Sequence, residues 1–199
     1  MKKYIYFQDG RYHYDGECLR WEDLPVEKMP RKYLPYKMKN ANFEYPEKIM
    51  KFLSFILDDV SIGIFTFYFA QVFNGKIEHP IFFYGKPKTG KTILLNLIYD
   101  IFYPLVSFQV DLHFNRFKHD NKCLFVNKKP IIREVNTLPK YKKHNRIIEF
   151  KNVLSGVEIK GEYLEELRAE YPCFISYMLF RYEDFIDDIE DARKKECEL

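Results

Sequence analysis

The residues best suited to chemistry form the pattern G-x-x-x-x-G-K-T over residues 85–92. An apolar run over 81–84 precedes this pattern, and an apolar-periodic segment over 93–98 follows it. A strand, a loop and a helix in that order are what a phosphate-binding loop, or P-loop, requires. Glycines let backbone N–H groups turn towards phosphate oxygens, and the helix N-terminus favours the same anion. The predicted nucleotide-binding residues are Gly85, Lys86, Pro87, Lys88, Thr89, Gly90, Lys91 and Thr92.

Three side chains have the types that phosphoryl transfer to water needs. Lys91 is expected to reach the outer phosphates as a point charge. Thr92 is expected to take one coordination place on a Mg²⁺ ion that keeps most of its waters. Glu134 ends the apolar run that starts at Pro130, and an acid at the end of a neighbouring strand can orient metal or water. The sequence thus predicts ATP and Mg²⁺ as cofactors, Lys91 and Glu134 as catalytic residues, and Thr92 and Glu134 as metal ligands.

Length and composition restrict the other possibilities. The chain of 199 residues is long enough for one substantial domain with a small annex. The formal net charge is only +3, so any nucleic-acid surface must be a local patch. Aromatic residues make up 18% of the chain, which suits either core packing or base stacking. The four cysteines form no C-x-x-C pair and no signal peptide opens the chain, which favours a cytoplasmic location, the host cytoplasm for a viral protein.

The first half of the chain predicts a lead-in followed by helices. Tyr4–Phe7 and Arg11–Tyr14 read as two strands joined by an Asp-Gly turn. Prolines interrupt the stretch from Trp21 to Pro46, which predicts an extended, ordered segment. A helix is expected to begin at Pro46-Glu47, and Ser61 is expected to cap a second helix that ends at Phe73. That second helix is too short to span a bilayer, so no membrane partner is predicted.

The second half alternates strand and helix signals. Strands are predicted over 81–84, 106–110, 130–135 and 172–180, helical spacing over 147–154, and a short hairpin over 157–163. This alternation predicts an α/β fold, a P-loop NTPase core over 80–199 with a mostly parallel sheet. A helical segment over 46–79 and an extended or β-hairpin lead-in over 1–45 precede the core. Because ligands lie at the carboxyl ends of such strands, Arg181 is expected beside Glu134 and the nucleotide.

Several stretches together resemble the superfamily 3 helicase domain of phage/plasmid and poxvirus-type primase-helicases. Residues 82–92 are similar to that family's Walker A strand and loop, and 131–134 to its Walker B strand. Residues 150–156 are similar to the helix and glycine that follow, and 174–181 lie where the family has a strand ending in a sensor asparagine. Residues 7–46 are similar to the segment ahead of the ATPase, and Asp191–Lys194 lie at the place of its arginine finger.

The resemblance implies an AAA+-like ATPase that acts as a ring, usually a hexamer, and moves along single-stranded DNA by hydrolysing ATP. It implies that Arg193 completes the neighbouring subunit's site. It also implies that Lys160, on the predicted hairpin, grips single-stranded DNA in the pore of the ring. A primase or origin-binding protein is the implied partner, and a virus or plasmid the implied source. The predicted function is therefore an ATP-dependent DNA helicase or replication-initiation ATPase.

Two alternatives belong to other functional classes. One is a degenerate nucleotide-binding accessory module of a replication complex with little turnover, because Arg133 stands beside Glu134 where the family has paired acids and Arg181 stands near the sensor asparagine's place. The other is a small-molecule P-loop kinase, for which the basic residues 140–146 imitate a lid only loosely. A GTPase would need N-K-x-D, and Asn127–Pro130 lacks the aspartate.

Basic residues 118–129 and 140–146 are expected to contact the DNA backbone. His113, His119 and Cys123 fit no common zinc spacing.

Overall fold

The computed structural model describes residues 4–14, 18–39, 44–73, 80–110, 122–126, 129–135, 147–150 and 161–180. These residues belong to two compact units. The first unit comprises Met1–Pro46, Thr66–Lys76 and Tyr171–Leu199, and the second comprises Glu47–Phe65 and Ile77–Glu170. The P-loop pattern lies in the second unit.

A three-stranded antiparallel sheet, in the order β1-β2-β3, opens the first unit. Its strands are β1 (Tyr4–Phe7), β2 (Gly10–Tyr14) and β3 (Leu19–Asp23). The predicted hairpin of β1 and β2 is confirmed, whereas β3 lies partly in the stretch that was expected to be extended lead-in. A Cβ atom at Gly10 would meet the Trp21 ring at 2.4 Å, so the absence of a side chain there lets β3 pack closely.

Backbone hydrogen bonds order the proline-rich segment that follows β3. Leu34 forms a parallel bridge with Phe7, and its N–H donates to the Tyr6 carbonyl at 2.8 Å. The Asp9 carboxylate accepts from the backbone N–H groups of Met38 at 2.9 Å and Lys39 at 3.0 Å. Over the described residues 24–39, the expected extended, ordered segment is therefore confirmed, with one short helical turn at Val26–Lys28.

Two helices follow, α1 (Glu47–Ile56) and α2 (Asp59–Phe73). The predicted start of α1 is confirmed, and its buried side chains fall on one face: Ile49, Met50, Phe52, Leu53 and Ile56. The predicted cap of α2 is wrong, because the helix begins before Ser61. The Asp58 carboxylate accepts from the Ser61 N–H at 2.8 Å and is the capping group. Within the described ranges, no helix is long and apolar enough to cross a membrane.

The second unit contains a five-stranded mixed sheet in the order β5-β6-β7-β4-β8. Its elements are β4 (Ile81–Gly85), α3 (Lys91–Phe102), β5 (Val106–Val110), β6 (Lys122–Val126), β7 (Lys129–Val135) and β8 (Ile147–Phe150). The strand β4 is parallel to both of its neighbours, β7 and β8, as a mostly parallel sheet requires. The expectation is wrong at β6, which is antiparallel to β5 and β7. Only residues 127–128 connect β6 to β7, and so short a connection permits only antiparallel pairing.

Two predicted elements have the opposite type. The prediction of a helix over 147–154 is wrong at its start, because residues 147–150 form the strand β8. This strand pairs with β4, and its side chains alternate between buried and more exposed. The predicted strand over 172–180 is wrong, because residues 171–180 form a helix, α5. Its buried apolar side chains recur at helical spacing: Tyr171, Phe174, Ile175, Met178 and Leu179. A short hairpin was predicted over 157–163. Its residues 157–160 lie outside the described ranges, and its last residues, 161–163, belong to the helix α4 (Gly161–Ala169).

The N-terminus of α1 is capped by a residue more than a hundred positions away. The Glu170 carboxylate accepts from the backbone N–H groups of Lys48 at 2.9 Å and Ile49 at 3.0 Å. We predict that Glu170→Ala lowers the free energy of unfolding by about 1 kcal/mol, because two N–H groups at the positive end of the helix lose their acceptor. Urea denaturation of the unaltered protein and of the Glu170→Ala variant measures the difference in the free energy of unfolding.

Glu166 provides the matched control. Its carboxylate pairs with the Lys48 ammonium at 3.1 Å, and both side chains are about half exposed. Glu166→Ala is therefore expected to cost less than about 0.5 kcal/mol. Equal losses for the two variants would show that the Glu170 contact is an ordinary surface interaction.

Candidate nucleotide site

The loop between β4 and α3 begins at a glycine that no other residue could replace without a clash. Gly85 pairs with Phe150 of the parallel strand β8. A Cβ atom at Gly85 would meet the Phe150 carbonyl oxygen at 2.6 Å and the Thr89 hydroxyl at 3.2 Å, and the Gly85 φ is +155°. The first glycine of the pattern therefore serves the close approach of two strands and the start of the turn.

The turn itself relies on left-handed backbone conformations. Lys88 has φ +63° and Gly90 has φ +90°, and Gly90 immediately precedes α3. The Thr89 hydroxyl is buried and donates to the Lys86 carbonyl at 2.9 Å, which closes the loop on itself. These conformations bring the chain into α3 at Lys91, so that the loop leads directly to a helix N-terminus, where backbone N–H groups favour anions.

Lys91 is the buried cation of the site, since only 4% of the residue is exposed. Its ammonium donates to the Gly85 carbonyl and to the Lys86 carbonyl, each at 2.7 Å. Burial lowers the pKa of Lys91 below its ordinary value, and the negative charge of Glu134 opposes that shift. The two carbonyls supply the hydrogen bonds that a buried ammonium requires, and a phosphate would supply the missing negative charge.

Glu134 lies close to the start of α3. The parallel pairing of β4 with β7 places Phe83 opposite Glu134, near the carboxyl end of each strand. The Thr92 Oγ1 and Glu134 Oε2 atoms are 3.5 Å apart. Two oxygens bound to one Mg²⁺ ion lie within roughly 4 Å of each other, so this pair fits a shared ion.

A site of this kind suits Mg²⁺ with a phosphate ligand better than a metal held by protein alone. Among the described residues, no group of three or more His, Cys, Asp or Glu side chains could hold a metal ion. Mg²⁺ commonly takes one or two protein oxygens and completes its shell with phosphate and water. Thr92 and Glu134 could hold the ion in this way.

The structure brings together most of the predicted site residues that it describes. The loop residues 85–92 form one turn, in which Lys86, Pro87 and Lys88 are exposed and Thr89, Gly90 and Lys91 are buried. Glu134 joins them through Thr92. The predicted site residues Arg181, Arg193 and Lys160 lie outside the described residues, as do His113, His119 and most of the two basic segments.

Sequence reasoning missed the contribution of the main chain. The acceptors for Lys91 are the carbonyls of Gly85 and Lys86, and the neighbour of Gly85 is the carbonyl of Phe150. Backbone groups leave no trace in residue type, so only the glycine at position 85 could have indicated this close packing.

Comparison with known proteins gives a fold likeness without a family. No protein-family model matches the chain, and no curated protein matches it. Among solved structures, the chain is similar to the A form of the apo C-terminal region of NrS-1, residues 305–718, with 17% sequence identity and a TM-score of 0.50. A second apo structure of that region matches at 17% identity with a TM-score of 0.49. The first match covers 89% of this chain but only 65% of the NrS-1 chain. The likeness supports the α/β fold alone.

Gly85 offers a sharp test of the loop geometry. We predict that Gly85→Ala lowers the free energy of unfolding by about 1–3 kcal/mol, because the new methyl group must displace the β8 main chain or the loop. Thermal or urea denaturation measures the loss.

Gly63 is the matched control, because it lies exposed within α2 and a Cβ atom there would meet nothing within 4 Å. Gly63→Ala is expected to raise the free energy of unfolding by about 0.5–1 kcal/mol, as alanine favours helix. Equal effects of the two substitutions would contradict the close approach of β8 to Gly85.

Proposed function

We propose that this chain is an ATP-dependent DNA helicase or replication-initiation ATPase of a virus or plasmid, which hydrolyses ATP to move on single-stranded DNA. The observation that carries the ATPase part is the meeting of Thr92 and Glu134 beside the buried Lys91. The helicase part rests on the resemblance of the motif order to superfamily 3 helicases. The α/β fold agrees with both parts.

The proposed role of each residue follows from the geometry of the loop. The Lys91 ammonium would exchange one or both of its carbonyl acceptors for oxygens of the outer phosphates. The N–H groups at the start of α3 would bind the same phosphates. Thr92 and Glu134 would hold Mg²⁺, which supplies neutralising charge for phosphoryl transfer when bound.

Glu134 would also orient the attacking water or accept its proton. Its strand ends beside the P-loop strand, so its carboxylate faces the region that the outer phosphates would occupy. A carboxylate in that position acts from a fixed backbone and needs no large movement to reach the water.

Partners enter the proposal through the resemblance. The motor would be a ring of identical subunits, with Arg193 completing the neighbouring site and Lys160 contacting single-stranded DNA. A primase or an origin-binding protein would supply priming or origin recognition. None of these three contributions involves a described residue.

A second candidate is a degenerate nucleotide-binding module with little turnover. The specific observation in its favour is that the described end of β7 carries one acid, Glu134, with Arg133 beside it. A single carboxylate holds the metal less firmly than a pair would. The P-loop would then bind nucleotide without completing the reaction.

ATP hydrolysis by the purified protein, with and without single-stranded DNA, separates these candidates. We expect DNA-stimulated turnover in the unaltered protein. Lys91→Ala should weaken ATP binding by about 10- to 100-fold, because an ammonium contact to phosphate is lost. Glu134→Gln should retain ATP binding and lower turnover by roughly 100-fold or more.

Two surface variants serve as controls. Lys51→Ala removes an exposed ammonium from α1, and Glu149→Gln removes an exposed carboxylate from β8. Both should turn over ATP at the unaltered rate. If the unaltered protein binds ATP without hydrolysing it, the chain is the degenerate module and not the motor. If the Lys91 and Glu134 variants bind and hydrolyse ATP as the unaltered protein does, the proposed site is refuted.

A further inference from the structure

The N-terminal sheet has one face that the nucleotide site does not use. Cross-strand partners share a face, so the register places Tyr4 with His13 and Arg20, and Tyr6 with Arg11 and Glu22. The opposite face carries Ile5, Phe7 and Tyr12, which are all buried. The first set, named here the aromatic face, consists of Tyr4, Tyr6, Arg11, His13, Arg20 and Glu22.

Flat groups on the aromatic face lie next to one another, with the Tyr6 and His13 rings tilted by 44° and 49° against the Tyr4 ring. The Arg11 guanidinium carbon is 3.9 Å from the centre of the Tyr4 ring and 5.8 Å from that of Tyr6. The His13 ring centre is 5.4 Å from that of Tyr4, and the two tyrosine rings are 6.0 Å apart. Four π-bearing side chains are therefore adjacent on one sheet surface, and all four are partly exposed.

An ion pair holds the Arg11 guanidinium in place on the aromatic face. The Glu22 Oε2 atom accepts from Arg11 Nε at 2.8 Å and lies 2.7 Å from Arg11 Nη2, so two guanidinium nitrogens contact one carboxylate oxygen and the guanidinium is held in place. Arg11 Nη1 also lies 3.4 Å from the Tyr6 hydroxyl. Because Glu22 already holds it, Arg11 would lose little side-chain entropy on meeting a flat ligand.

Among its described residues, the aromatic face has more cationic than anionic side chains. It carries Arg11 and Arg20 against the single acid Glu22, and Arg20 is exposed. Flat uncharged groups joined by negative charges are the complement of such a surface. Single-stranded nucleic acid has this chemistry, since its bases stack on tyrosine, histidine and arginine planes while its phosphates meet arginine.

We infer that the aromatic face of the N-terminal sheet binds single-stranded nucleic acid by base stacking on Tyr4, Tyr6 and His13, with Arg11 and Arg20 meeting the phosphates or the bases. This face is distinct from Lys160 and from the P-loop. Binding there requires no nucleotide hydrolysis, so the inference stands or falls separately from the proposed ATPase. Stacking reads no sequence, so all four bases should be accepted.

Fluorescence anisotropy with labelled oligothymidylate and oligouridylate of about twelve nucleotides, without ATP, tests the inference. Tyr4→Leu and Tyr6→Leu keep apolar bulk but remove the ring, and each should weaken binding by roughly tenfold. Arg11→Gln should weaken it and make it less sensitive to salt. The DNA and RNA probes show which of the two sugars the face prefers.

Control variants separate this site from other effects. Tyr103→Leu removes an exposed tyrosine from the second unit and should leave binding unchanged. Lys51→Ala removes an exposed cation from α1 and should also leave binding unchanged. Thermal unfolding of each variant shows whether the sheet is still folded.

Photocrosslinking provides a test on the unaltered chain. A halogenated uracil in the probe reacts with an aromatic ring against which it stacks, and trypsin releases Tyr4–Arg11 as one peptide because Lys3 and Arg11 flank it. We expect the crosslink in this peptide. A crosslink in Tyr12–Arg20, the peptide that carries His13, would also support the inference. Crosslinks confined to the remaining peptides, unchanged affinity in both folded tyrosine variants, or a change in oligomeric state instead of affinity would overturn it.

Discussion

The burial of the Lys91 ammonium is the constraint on which the rest of the second unit depends. A cation with 4% exposure is stable only if hydrogen bonds replace its lost water, and the carbonyls of Gly85 and Lys86 do so at 2.7 Å each. Those carbonyls point inward because the loop turns sharply at Lys88 and Gly90. This turn also requires that Gly85 has no side chain, because the main chain of β8 lies against Gly85.

The same contacts explain why the loop is suited to phosphate. Burial lowers the pKa of Lys91, so the protein holds a charge that solvent no longer stabilises, and Glu134 is the acid that partly compensates it. An added phosphate would stabilise the charged lysine more strongly than carbonyl dipoles can. The loop thus combines a cation that needs an anion with a helix N-terminus that attracts one.

Sequence predicted the parts of this structure that depend on local chemistry. Glycine spacing and apolar runs located β4, the loop and α3, and proline with glutamate located α1. The predictions of a helix over 147–150 and a strand over 172–180 were wrong, because short apolar runs fit either element type. Pairing with β4 made a strand of the first, and burial at 171, 174, 175, 178 and 179 identifies a helix in the second. Strand β6 depends on its pairing with other strands, and the acceptors of Lys91 are main-chain carbonyls of the loop. Residue types record neither contribution.

Calorimetric titration of the protein with ATP and with AMP, both in the presence of Mg²⁺, tests the central claim most directly. If the loop binds the outer phosphates through Lys91, ATP should bind at one site per chain and AMP, which lacks those phosphates, at least about 100-fold more weakly. Replacing Lys91 by Met should remove most of that difference. Equal affinity for ATP and AMP, or an ATP affinity that Lys91→Met leaves unchanged, would contradict the account.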